Sequence, residues 1–88
     1  MAIDWRRATG DFESAAERDK WVIAHANLFT VVRYLGPGHG YERHEVKNLL
    51  EAQALAKHMA DMVDRIYLIY AVAGNQDCFV RSVHPTKQ

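Results

Sequence analysis

The chain has 88 residues, 49% apolar and 25% charged, with 11 basic side chains balanced by 11 acidic ones. That length holds one domain, residues 1–88, with a modest core that shields only ~60% of the unfolded chain's surface, and the composition is that of a globular chain, not a disordered one. Zero net charge leaves no broad basic footprint for nucleic acid. A lone cysteine, Cys78, excludes an internal disulfide. No run reaches the ~18 consecutive apolar residues of a membrane span.

Residues 1–12 show no period. Arg6-Arg7 leads into Ala8-Thr9-Gly10-Asp11 and not into an apolar stretch, so neither a secretory nor a twin-arginine leader is expected, and the compartment expected is the cytoplasm. This segment reads as a loose arm pinned by Trp5 or Phe12. Ser14-Ala15-Ala16-Glu17 has the form of a capping box, with a serine hydroxyl and a glutamate three residues on. A helix over residues 15–26 follows, although Trp21-Val22-Ile23 is also compatible with the start of a strand. Residues 28–35 are dense in β-branched and aromatic side chains and read as a strand.

The next stretch, Gly36-Pro37-Gly38-His39-Gly40, raises the question of a phosphate-binding loop. Such a loop needs glycines that follow a strand and open a helix directly, so that backbone N–H groups meet the phosphate. Here the charged, alternating residues 41–47 intervene, the spacing is not G-x-G-x-x-G, and no Lys-Ser/Thr pair follows. The glycines therefore predict a tight hairpin turn, with residues 41–47 as a short, exposed, charged second strand. Asn48-Leu49-Leu50-Glu51 is a second capping box. Leu49, Ala52, Leu55, Ala56, Met59, Met62 and Val63 then recur at helical spacing, which predicts an amphipathic helix over residues 49–63.

Residues 66–73, IYLIYAVA, are apolar at every position. The expectation is an interior strand buried on both faces, beneath helix 15–26 or a second protomer. A turn over 74–77, a strand over 78–83 and a polar tail over 84–88 complete the chain. The order predicts an α+β fold: a ββαββ core with a four-stranded antiparallel or mixed sheet, one long amphipathic helix and an N-terminal helix.

Catalytic chemistry finds little support. The five histidines, His25, His39, His44, His58 and His84, show no paired ligand spacing, so surface side chains and no metal site are expected. Cys78 lacks a neighbouring base and sits beside Asp77, which points to a buried, inert thiol. Ser14 serves as a cap and Ser82 lacks a nucleophile-elbow context. No enzyme activity and no cofactor are expected. A small, neutral domain with a modest core has weak protection against self-association, which predicts a homodimer. The functional expectation is a small accessory or regulatory protein acting by contact with itself and another protein, through a sheet face or hairpin bearing Arg33, Tyr34, His39, Tyr41, Arg43 and Arg81. The alternative is a single-stranded nucleic-acid module on that face, since tyrosines flanked by arginines stack and hold bases.

Overall fold

Ser14 is extended (φ −152°, ψ 162°), and its Oγ accepts from the Glu17 N–H at 3.1 Å, which starts helix α1 (Ala15–His25). The computed structural model describes Phe12 and residues 14–86. The arm expected over residues 1–12 therefore lies outside the described residues except for Phe12, whose ring tilts against Trp21 at 5.5 Å. The ambiguous Trp21-Val22-Ile23 run is helical, and only Trp21 and Val22 of α1 are buried. The helix ends at Ala26, which is extended.

Strands β1 (Leu28–Tyr34) and β2 (Tyr41–Val46) pair antiparallel, from Phe29 opposite Val46 to Tyr34 opposite Tyr41. Between them Pro37 and Gly38 occupy the central positions of a turn closed by His39 N–H donating to Gly36 O at 3.1 Å. Gly38 has φ 79°, the sign that a type II turn requires after proline. A side chain there would meet open space, so backbone sign and not crowding demands the glycine.

Asn48 Oδ1 accepts from Glu51 N–H at 2.8 Å and starts helix α2 (Leu49–Val63). Asp64 ends it in the left-handed region (φ 56°), with its N–H returned to Ala60 O. Strand β3 (Tyr67–Ala73) is joined to β4 (Gln76–Val83) through Gly74 at φ 62° and Asn75. This connection is two residues, shorter than the four expected, and β4 starts earlier as a result.

The sheet order is β2-β1-β3-β4, and all three neighbouring pairs are antiparallel. The fold is thus α+β, with two helices and a fully antiparallel sheet. Strands β2 and β3 flank β1 and run in the same direction, so α2 is the crossover between them. Both helices pack on one face. The core on that side joins Trp21 and Val22 of α1 to Ala52, Ala56 and Ala60 of α2, over Phe29, Val31, Tyr67, Ile69, Ala71, Ala73 and Cys78. The three alanines lie four residues apart and are fully buried, so the helix backbone sits close to the sheet. Leu49, Leu55 and Met59 flank this stripe, whereas Met62 and Val63, counted on it from spacing, are exposed.

One of the two expected covers for residues 66–73, helix 15–26 on the second face, is corrected. Burial along β3 alternates: Tyr67, Ile69, Ala71 and Ala73 are buried, and Leu68, Tyr70 and Val72 are only half-buried. The strand is dry on the helix side alone. Ile66, included in the expected strand, precedes it and is 47% exposed. The reason is topological: α1 does not cross to the second face but lies beside α2 on the first, and nothing else in the described chain covers the other side.

Candidate functional site

The uncovered face is built row by row from the strand register. Arg43 on β2 lies opposite Val32, which lies opposite Leu68, which lies opposite Ser82. The next row runs Glu45, Thr30, Tyr70, Phe79, and the one beyond it Leu28, Val72, Asp77. At the other end Tyr34 faces Tyr41. Side chains on a strand alternate between faces, so these rows share one surface. They form an apolar middle with charged margins, enclosing an open trough of about 590 Å³.

The aromatics on this face are paired, and all but the half-buried Tyr70 are exposed. Tyr34 and Tyr41 sit with ring centroids 5.3 Å apart and are 56% and 61% exposed. Tyr70 and Phe79 meet edge to face at 5.8 Å. Val32 is buried but stands outside the helix-side core. Arg43 and Glu45 have no ion-pair partner among the described residues, whose pairs are Arg18–Asp19, Arg33–Glu42, His44–Glu42 and Lys57–Asp61.

The six residues singled out from sequence do not form one site. Tyr34, Tyr41 and Arg43 share the open face. Arg33 lies on the opposite face, His39 lies in the glycine turn, and Arg81 is opposite Ile69 in the register, beside a bulge that shifts β4 between Phe79 and Arg81. That bulge makes Val80 an extra residue and puts Arg81 out of step with Phe79. Leu28, Leu68, Val72 and Phe79, which line this face beside the buried Val32, were not among the site residues singled out. The signal was present in the β3 run itself, whose apolar character on both faces exceeds what one helix layer can cover.

The densest polar cluster is on the helix side, at the β2 edge. Arg33 donates from Nε and Nη2 to Glu42 Oε1 at 3.1 and 2.8 Å, and the Tyr67 hydroxyl donates to Glu42 Oε2 at 3.0 Å. His44 Nε2 donates to the same oxygen at 2.7 Å, the carboxylate being able only to accept. The His44 and Arg33 contacts hold the Glu42 carboxyl down to about 2. The guanidinium also lies 5.9 Å from the Tyr67 ring centroid. Every other member is bound to Glu42, so this cluster is a clasp that ties β2 to β1 and β3.

The remaining candidates are similarly quiet. Cys78 is buried, and that burial, aided by Asp19, pushes its thiol above the usual value. The His25 ring stacks on Trp21 at 4.7 Å, and its Nδ1 donates to Trp21 O at 2.9 Å. Among the described residues no group of three His, Cys, Asp or Glu side chains is placed to hold a metal ion, and no helix is long and apolar enough to cross a membrane. No protein-family model, curated protein or solved structure matches the chain.

Proposed function

We propose that this chain is a small, non-catalytic accessory or regulatory protein that acts by association, through the open face of its sheet. The observation that carries the reading is the half-buried row of Leu68, Tyr70 and Val72, flanked by Leu28, Val32 and Phe79, on a face that neither helix covers. A contiguous apolar patch rimmed by polar groups is the surface type that marks interaction sites on small domains. The Glu42 carboxylate is fully engaged by Arg33, His44 and Tyr67 and the thiol is buried, which supports association over catalysis. A cytoplasmic setting belongs to the same reading, given the single unpaired cysteine.

The nucleic-acid alternative retains the exposed Tyr34–Tyr41 pair beside Arg43. Charge weighs against it. Arg33 is bound to Glu42 on the other face, and Glu45 and Asp77 share the open face with Arg43. Such a surface lacks the positive groove that tracks a phosphate backbone.

A photo-crosslinking side chain at position 70, on the open face, and another at position 57, on the exposed side of α2, test the reading in living cells. Discrete adducts from position 70 and none from position 57 are expected. Equal yields from both, or none from either, would sink it.

A further inference from the structure

We infer that the occupant of the open face is a second copy of this chain, packed sheet on sheet about a two-fold axis that runs across the strands between the Arg43 and Glu45 rows. The inference rests on the association reading and names its partner. Two-fold contact requires a patch that complements itself. The rows supply this. Rotation about that axis lays the row Arg43, Val32, Leu68, Ser82 of one copy over the row Glu45, Thr30, Tyr70, Phe79 of the other. Arg43 then meets Glu45 of the second copy, and Glu45 meets its Arg43, so two ion pairs form at one margin from side chains that have no ion-pair partner among the described residues. Leu68 meets Tyr70 twice in the middle, where the face is apolar.

Size is compatible. Four strands at ~4.8 Å spacing and six to eight residues at ~3.3 Å give a flat face of roughly 400–500 Å². Two such faces approach the lower bound of stable interfaces, ~1,200 Å² in all, once side-chain relief is added. Stacked sheets with strand axes nearly aligned pack about 10 Å apart with interdigitated side chains. A different protein would need its own apolar, charge-alternating face; a second copy has it by construction.

The test is the mass of the full chain by sedimentation at ~1 to ~100 µM, with charge reversals. The wild type is expected to be dimeric at the upper end. Arg43→Glu and Glu45→Arg, each alone, face like charges across the axis and should weaken the dimer tenfold or more. An equimolar mixture of the two variants restores both ion pairs and should regain the dimer, as should the doubly reversed chain. Val72→Asp should abolish it, and far-UV circular dichroism checks that each variant is folded. A wild type monomeric throughout, unchanged single variants, or a mixture that stays monomeric would overturn the inference. The position-70 adducts separate the two levels: adducts at twice the chain mass support the second copy, adducts only to other proteins overturn it while leaving association intact, and no adducts sink both.

Discussion

At the scale of single residues, Glu42 shows how a charged strand can be tied to a core. Read as sequence, residues 41–47 are an exposed ribbon, and on the outer face they are. On the inner face Glu42 is the shared acceptor of Arg33, His44 and the hydroxyl of Tyr67, a residue with no exposed surface. Glu42→Ala leaves that hydroxyl buried without its acceptor, and we expect a loss of about 1–3 kcal/mol in urea denaturation at neutral pH. Acid has a related effect. The carboxyl titrates near 2 in the folded chain, down from 4.5, so its stabilisation is complete above about 4.5 and is lost as pH falls through about 2. The gap between wild type and Glu42→Ala should therefore narrow steadily below pH 4.5; a constant gap down to pH 2 would show that the charge is not what holds the clasp. Read as sequence, Glu42 and Glu45 are equivalent partners for the strand arginines. Sequence could not divide them, because which carboxylate meets Arg33 depends on the face each strand position takes: Glu42 turns inward toward Arg33, and Glu45 turns outward beside Arg43.

At the scale of elements, local chemistry placed the helix starts and the first turn. Ser14 and Asn48 both cap as their four-residue patterns imply, the helix over 49–63 has the bounds that its periodicity predicts, and the proline-glycine turn takes the type that its residues demand. What spacing did not convey was which part of the α2 stripe does the packing. The deep contact runs through Ala52, Ala56 and Ala60, the smallest apolar side chains, and the larger Met62 and Val63 are left outside. A hydrophobicity pattern weights large residues, whereas close approach of a helix to a sheet selects small ones. Ala56→Leu is accordingly expected to destabilise by about 1–3 kcal/mol through overpacking, despite its greater apolarity and equal helix tolerance. Leu50→Ala, on a side chain 78% exposed, should change stability by less than about 0.5 kcal/mol in the same denaturation series. Equal effects at the two sites would contradict the placement of the alanine stripe against the sheet.

For the whole molecule, β3 carries two readings at once. Its uniform apolarity correctly marks a central strand, and it sits between β1 and β4. The step from apolar on both sides to a second face covered by α1 failed because a four-stranded sheet with a split crossover puts α2 on one face, and α1 has joined it there. The adjacent residues Leu68 and Ile69 separate the faces experimentally. Ile69 is fully buried under the helices, so Ile69→Ala opens a cavity and should cost about 2–5 kcal/mol at any protein concentration. Leu68 is half-buried on the open side, so Leu68→Ala should cost only about 1 kcal/mol in dilute, monomeric samples. At high concentration a wild type whose open face is occupied gains stability by mass action, since whatever binds only the native state shifts unfolding in its favour. The melting temperature of the wild type, and of Ile69→Ala from its lower baseline, should therefore rise with concentration, while that of Leu68→Ala should rise markedly less. Parallel concentration dependence in all three would mean that Leu68 faces water in every state, and that the apolar outer surface of this sheet serves no contact.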